Sequence, residues 1–207
     1  MSLQEVREQN KQKVIENALK MFLNNGIENT KVVDIAMASG LTERSVFRYF
    51  DTKAGLVLAA AMHFFNHEVD ILHSFWDEID KSGENGHEKV YQVLLAYAML
   101  FFNEKKSLVF VQEAEIYLYR SNMLDTIRPR PIKSYKSKEG PLSIAICEGI
   151  EDGSIKESRN LELFYFNAFD SLLGLLQKMA TTAYDDLSEE EQKERLVHFC
   201  TMLVQSI

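Results

Sequence analysis

The sequence predicts an all-α protein of about nine helices. Apolar residues recur at the 3.6-residue helical spacing along most of the 207 residues. The 3 prolines and 9 glycines are too few for the regular turns of an all-β sandwich. Hydrophobic residues make up 46% of the chain and charged residues 26%, a balance that excludes a disordered chain and a disulfide-rich miniprotein.

The first helix is predicted over residues 6–25. Gly26 follows it, in the position where a residue of left-handed conformation commonly ends a helix. An apolar stripe with i, i+3, i+4, i+7 spacing defines its buried face and consists of Ile15, Ala18, Leu19 and Phe22.

Two short helices follow, joined by a glycine-containing turn. The second helix is expected to start with Thr30 as its N-cap and to stop at Ser39-Gly40. The third is predicted over residues 43–50 with Thr42 as its N-cap. This arrangement is typical of a helix-turn-helix unit, in which the second helix enters the major groove of DNA, although any helical hairpin shows the same spacing.

The rest of the chain is predicted to be helical as well. A long fourth helix begins near Lys53 and continues to about Asp80, before a loop. Arg128-Pro129-Arg130-Pro131 is the one strong breaker and opens a long loop or frayed segment. The further helices are predicted over residues 87–103, 107–122, 142–151, 161–183 and 188–206.

The helix over residues 161–183 has almost no polar face, so it has to be covered on all sides. A second copy of the chain would cover what the protomer leaves open, and we infer a homodimer through the last two helices. The alternative, a central helix buried within a monomer, leaves the same pattern. The expected interface residues are Phe169, Leu172, Leu173, Leu176, Phe199 and Leu203.

The charge is distributed unevenly along the chain. The net charge of −8 argues at first against a nucleic-acid ligand. Residues 1–53, however, hold 8 lysines and arginines against 7 acids, whereas residues 54–207 hold 15 against 24. This asymmetry is compatible with a DNA-facing amino-terminal end.

A soluble, cytoplasmic protein is expected. The first 13 residues are polar and lack the apolar region of a signal peptide. The chain contains no apolar run of the roughly 18 residues that a membrane span needs. Cys147 and Cys200 lie far apart without metal or redox spacing, and both are interpreted as buried thiols.

Residues 26–56 resemble a known pattern. The Thr30 position, Asp34-Ile35-Ala36, the Gly40 turn, Tyr49-Phe50 and the Lys53 that follows resemble the amino-terminal domain of TetR/AcrR-type bacterial transcriptional regulators. About 45 residues carry this resemblance. Beyond them, the chain is similar in length, helix number and a segment over residues 149–154.

The resemblance implies a homodimeric regulator, expected to be a repressor, with a DNA-binding domain over residues 1–53. Residues 54–207 would form the ligand-binding and dimerisation domain, and a small molecule bound there would release the operator. The DNA-facing positions implied by the resemblance are Thr30, Thr42, Glu43, Arg44, Ser45, Phe47, Arg48, Tyr49 and Lys53.

The chemistry of these side chains fits that role. Arg44 or Arg48 could bond guanine O6 and N7, and Glu43 could accept from cytosine N4. Thr42 and Lys53 suit phosphate, and Thr30 would contact phosphate from a helix amino terminus.

Two of these positions depart from what the role favours. Phe47 stands where the family usually has a tyrosine whose hydroxyl meets phosphate, so one backbone hydrogen bond is lost. Glu43 puts a negative charge on the DNA face. It must therefore find a cytosine or a neighbouring arginine.

An enzyme or a metal site is not predicted. His63 and His67 have metal-ligand spacing on one helix, but no further ligand motif supports them. No nucleophile, P-loop or dinucleotide-binding motif is present in the sequence, so neither a cofactor nor catalytic residues are expected.

Two groups of residues are candidates for lining a ligand pocket. A polar stripe that includes Asn167, Asp170 and Gly174 runs along the predicted helix over residues 161–183. Glu113 and Tyr117 form the second group. A carboxylate in an apolar cavity requires a partner, which favours a lipophilic or cationic ligand. A water-facing stripe and an inter-helix hydrogen-bond network are the alternatives.

Two functions therefore remain. The first is a ligand-responsive regulator that binds a palindromic operator. The second is a helical interaction protein whose helix-turn-helix no longer binds DNA, which the acidic carboxyl-terminal part, Glu43 and Phe47 make reasonable.

Overall fold

The structure is a computed structural model that describes residues 2–80, 83–123, 134–181 and 187–207. Within these residues the chain is helical and contains no strand, which confirms the predicted all-α class. The helices are α1 (Leu3–Asn25), α2 (Val32–Ala38), α3 (Glu43–Phe50), α4 (Lys53–Asp80), α5 (Gly86–Asn103), α6 (Lys105–Arg120), a 3-10 turn (Tyr135–Ser137), α7 (Pro141–Glu151), α8 (Arg159–Thr181) and α9 (Glu189–Val204).

The predicted bounds agree with these helices to within a few residues. Gly26 ends α1 with φ of +78°, and its N–H donates to the Phe22 carbonyl. Ser188 caps α9 and forms a capping box with Glu191, which satisfies donors at the helix start. The predicted breaker over residues 128–131 lies outside the described residues.

The chain divides into two compact units. Unit 1 combines residues 1–67 with 106–129, and unit 2 combines residues 68–105 with 130–207. The division predicted at residue 53 concerns function rather than compactness, so it stays a prediction. Neither unit is a single continuous piece of the chain.

An aromatic cluster forms the core of unit 1. The Phe110 ring of α6 stacks on the Phe22 ring of α1, with centroids 6.3 Å apart. It also meets the Phe64 ring of α4 edge-on at 5.8 Å. Because all three side chains are buried, they join α1, α4 and α6 around one apolar centre.

In unit 2, α5 and α7 cross at a contact between two glycines. A Cβ atom on Gly86 would overlap the backbone of Gly149, so the two helices approach as closely as backbone permits. Just beyond α7, the Asp152 carboxylate accepts from the Gly86 N–H at 2.7 Å, and the Ser154 hydroxyl accepts from the His87 N–H at 3.1 Å. The segment over residues 149–154 therefore caps the start of α5.

The structure corrects part of the predicted dimer interface. Leu172 and Leu176 of α8 are each 1% exposed within the protomer, so they belong to its own core and do not form an open surface. The prediction treated every apolar residue of this helix alike, but one side of α8 packs against α5 and α9. The other four predicted residues are half-buried: Phe169, Leu173, Phe199 and Leu203.

The polar stripe of α8 faces outward. Asn167, Asp170 and Gly174 are all exposed in the protomer, and no described atom lies within 4 Å of where a Cβ on Gly174 would be. The expectation that this face points into a pocket is therefore wrong for the protomer. Polar groups remain solvated on this side because the apolar residues of α8 supply the opposite, buried one.

Both cysteines are free and buried, as predicted. Burial raises the pKa of the Cys200 thiol to about 11, so this group stays protonated. Among the described residues, no helix combines the length and apolar character needed to cross a membrane.

Candidate nucleic-acid interface

The third helix is positioned by a cap and a buried anchor. The Thr42 hydroxyl accepts from the Ser45 N–H at 3.2 Å, which confirms Thr42 as the predicted N-cap. Val46 is 1% exposed and fixes one side of α3 in the core. Since α3 packs against both α1 and α2, its opposite side is left open to solvent.

The turn between α2 and α3 has the tight geometry of a helix-turn-helix. Gly40 adopts φ of +70°, a conformation that side-chain-bearing residues rarely take, and Leu41 N–H donates to the Ala36 carbonyl. The buried Ser39 hydroxyl donates to the Ile35 carbonyl and accepts from the Asn17 amide of α1 at 3.1 Å. This network fixes the angle at which α3 leaves the turn.

Most of the predicted DNA-facing side chains lie together on the open side of α3. Five of them are exposed, among them Phe47, which has 37% of its surface accessible. Ser45 and Tyr49 are half-buried at the margins. The exposed residues of this surface are Thr42, Glu43, Arg44, Phe47 and Arg48.

Thr30 does not have the predicted capping role. The N-cap of α2 is Lys31, which makes no side-chain cap hydrogen bond. The Thr30 hydroxyl instead donates to the Gly26 carbonyl at 2.7 Å, and the residue is only 2% exposed. The end of α1 presents free carbonyl groups close by, so the hydroxyl turns back toward α1.

Lys53 lies at the start of α4 and is tied to its surroundings in unit 1. Its Nζ atom is 3.4 Å from the Glu28 carbonyl oxygen and 5.6 Å from the ring centre of Tyr117. Burial lowers the pKa of Lys53, while the nearby Glu28 carboxylate opposes that shift. Tyr117, predicted to line a ligand pocket, thus supports the position of a predicted DNA-binding lysine.

Glu113 has a role that the sequence did not indicate. Its Oε2 atom accepts from the Ile27 backbone N–H at 2.8 Å, directly after the end of α1. A Cβ on Gly26 would lie 3.3 Å from Oε1 of the same carboxylate. The carboxylate is therefore satisfied by a backbone donor within unit 1, and it does not need the cationic ligand that the sequence led us to expect.

A second contact reinforces this attachment of α6. Lys106 Nζ donates to the Asn24 side-chain oxygen at 3.1 Å, near the end of α1. Together with Glu113, it gives α6 two polar contacts, one to the last turn of α1 and one to the connection that follows. In the sequence, Glu113 stands as an acidic residue within an apolar helical stripe. That pattern was interpreted as the lining of a ligand pocket.

Arg7 is a further charged group that sequence reasoning missed. Its guanidinium carbon lies 5.9 Å from the ring centre of Tyr49, and that of Arg48 lies 5.5 Å from the same ring. Arg7 is on α1 and precedes the motif, so no spacing rule connects it with α3. Only the packing of α1 against α3 brings the three side chains together.

Comparison with known proteins agrees with this geometry. Residues 14–60 match the family model described as bacterial regulatory proteins, tetR family. This segment contains the second half of α1, all of α2 and α3, and the beginning of α4. No curated protein matches the chain.

Solved structures of transcriptional regulators share the fold over nearly the whole chain. Bacillus subtilis FadR in complex with stearoyl-CoA has a TM-score of 0.62 and 17% identity, with 94% of this chain and 95% of that one covered. The TetR-family regulator PfmR of Thermus thermophilus has a TM-score of 0.56 and 20% identity, covering 93% and 97%. The ketosteroid regulator KstR2 of Mycobacterium tuberculosis has a TM-score of 0.56 and 19% identity, covering 95% and 94%.

These identities are low, so the matched structures establish the fold and leave the ligand and the operator open. The family match, by contrast, falls on the segment that carries the capped third helix and its glycine turn. The resemblance that the sequence indicated is thereby confirmed: residues 14–60 match the tetR-family model, and the chain has the fold of solved TetR-family transcriptional regulators.

Proposed function

We propose that this chain regulates transcription by binding a two-fold symmetric operator as a homodimer, with α3 in the major groove. One observation carries the proposal. The open side of a helix fixed by Thr42 and Val46 presents two arginines, Arg44 and Arg48, beside a carboxylate. Residues 1–53 supply the DNA-binding part and residues 54–207 the ligand-binding and dimerisation part.

The side chains of this surface divide between bases and phosphates. Arg44 is suited to guanine O6 and N7, and Glu43 is suited to cytosine N4. Lys53 and Thr42 contact phosphate; the Lys53 ammonium keeps donors to spare beyond its contact with the Glu28 carbonyl. Because the Thr30 hydroxyl is buried, any phosphate contact there comes from backbone N–H groups.

The direct test is selection of bound duplexes from a random DNA pool by the purified protein. We expect a two-fold symmetric motif whose half-sites lie about one helical turn apart, as a dimeric helix-turn-helix protein requires. Absence of enrichment at low salt, from protein shown to be folded, would overturn the proposal. That result would favour a helical interaction protein instead.

Arg44→Ala is expected to weaken binding to the selected operator about 5- to 150-fold, the range expected for one bidentate base contact. Binding to a scrambled duplex should change far less, since that mode depends on phosphates. Lys53→Ala, in contrast, should weaken both. Arg44→Lys keeps the positive charge but loses the planar guanidinium that can bond one guanine twice. It therefore separates recognition of the base from electrostatic attraction to the DNA. Equal losses on both duplexes for Arg44→Ala would contradict a base-reading role.

The homodimer is proposed to form through α8 and α9. These helices leave large apolar side chains open, including Leu163 at 55% exposure and Met202 at 52%. The half-buried residues predicted for the interface lie on the same two helices: Phe169, Leu173, Phe199 and Leu203. Sedimentation equilibrium should give twice the chain mass of 23.9 kDa, and a monomer at micromolar concentration would contradict the assignment.

The effector is proposed to be a lipophilic small molecule that binds in unit 2. Phe75, Trp76, Val93 and Tyr97 line an apolar crevice there, on α4 and α5. The crevice is too narrow to hold even a water molecule, so ligand binding has to move its walls apart. A fold relative, Bacillus subtilis FadR, is described in complex with stearoyl-CoA, which supports an acyl chain.

Trp76 is the sole tryptophan and borders this crevice, so its fluorescence reports occupancy. Titration with a long-chain acyl compound should shift or quench the emission in a saturable way. An amphiphilic cation of equal chain length serves as the comparison. A response to the cation alone would contradict the acyl assignment, and no response to either would contradict the site.

A further inference from the structure

Two arginines from different helices share one aromatic ring. Arg7 of α1 and Arg48 of α3 lie 5.9 Å and 5.5 Å from the ring centre of Tyr49. Both arginine residues are exposed. Within the part of the chain that the structure describes, neither guanidinium has a carboxylate or other hydrogen-bonding partner. Two positive charges thus lie against one ring, and neither is neutralised by a carboxylate of the described residues.

This cluster lies at the carboxyl-terminal end of α3, within two positions of Phe47, whose side chain is exposed. Phe47 lacks the hydroxyl that would bond a DNA phosphate at its position. A guanidinium supplies several N–H donors in a planar fork that matches phosphate oxygens, and the Tyr49 hydroxyl adds another donor. The missing contact can therefore come from a neighbouring helix.

We propose that Arg7, Arg48 and Tyr49 form a phosphate-binding cluster, in which Arg7 extends the DNA contact of the recognition helix to α1. The ligand is the phosphodiester backbone of the operator strand that passes the end of α3. The Tyr49 ring holds both guanidinium groups in place before DNA arrives, which reduces the entropy lost on binding. This inference rests on the proposed function, since it needs a protein that binds DNA.

Its test is the salt dependence of binding, measured with the full-length protein on the selected operator and on a scrambled duplex. Arg7→Ala should weaken both complexes by the same factor, roughly tenfold, because a phosphate contact carries no sequence information. The slope of log K against log salt should become shallower by about 1, the effect of one phosphate contact. Arg7→Lys should restore part of the affinity, since it returns the charge without the fork.

Lys20→Ala is the matched control. Lys20 is an exposed cation on the same helix, 13 positions from Arg7, and its removal changes the net charge equally. The slope for Lys20→Ala should equal that of the wild type. A thermal melt of each variant shows whether any lost affinity comes from lost stability.

The outcomes separate the two proposals. If the wild-type protein binds no duplex, the proposed function fails, and this inference fails with it. If the wild type binds and Arg7→Ala has the slope of Lys20→Ala, only the cluster is overturned. A lowered melting temperature with an unchanged slope would likewise overturn it, because Arg7 would then only pack against Tyr49.

Discussion

Phe110→Ala is expected to lower the free energy of unfolding by about 3–5 kcal/mol, as for other buried phenylalanines. Phe110 is 1% exposed and contacts the rings of Phe22 and Phe64, which lie on two other helices. Truncation leaves a cavity between α1, α4 and α6 that their backbones cannot close completely. Urea unfolding followed by far-UV circular dichroism measures the loss.

The control is Tyr119→Ala on the same helix. Tyr119 is 69% exposed, so its removal should change the free energy of unfolding by less than about 0.5 kcal/mol. Both variants are measured at one protein concentration, because dimerisation would otherwise shift the apparent stability. Similar small losses for both variants would contradict the central position of Phe110 in unit 1.

Gly86→Ala is expected to destabilise the protein by about 3 kcal/mol or more, at the upper end of the range for overpacked sites. The new Cβ would overlap the backbone nitrogen and Cα of Gly149, and no rotamer change can relieve a clash with backbone. The helices α5 and α7 would have to separate, and buried residues such as Val90 and Ile146 would lose contacts. Thermal unfolding should show a clearly lowered midpoint.

Gly140→Ala provides the comparison for this substitution. Gly140 precedes α7 with extended backbone, φ of −156°, and no described atom lies within 4 Å of where its Cβ would be. An alanine at this N-cap position should cost no more than about 1 kcal/mol. A loss for Gly86→Ala as small as this would mean that the two helices do not cross at a backbone contact.

The third helix was largely predictable because its determinants are local. Thr42 and the glycine turn at Gly40 specify where α3 begins. The helical periodicity then places Val46 on the buried side and Arg44 and Arg48 on the exposed side. Such signals depend on residues a few positions apart. For that reason the end of α1 and both bounds of α3 agree with the structure.

The errors arose where distant segments meet. Thr30 matches the N-cap pattern, but carbonyl groups at the end of α1 compete for its hydroxyl. Glu113 looked unpaired in the sequence, because its partner is a backbone N–H 86 positions earlier. Periodicity marked Leu172 and Leu176 as apolar but could not show whether the protomer or a second copy covers them.

The hydrogen bond that the Ile27 N–H donates to the Glu113 carboxylate can form only late in the synthesis of unit 1. Unit 1 needs residues from α6, yet α1 to α3 leave the ribosome first. At about 5–20 residues per second, the 86 residues that follow Ile27 up to Glu113 take roughly 4–17 s to translate, and the Ile27 N–H lacks its acceptor throughout. Early-terminated chains that end before α6 also lack the Phe110 ring of the core. The core of unit 1 is thus completed only after α6 has been synthesised, and a fragment that ends at residue 53 lacks part of the packing that holds α1.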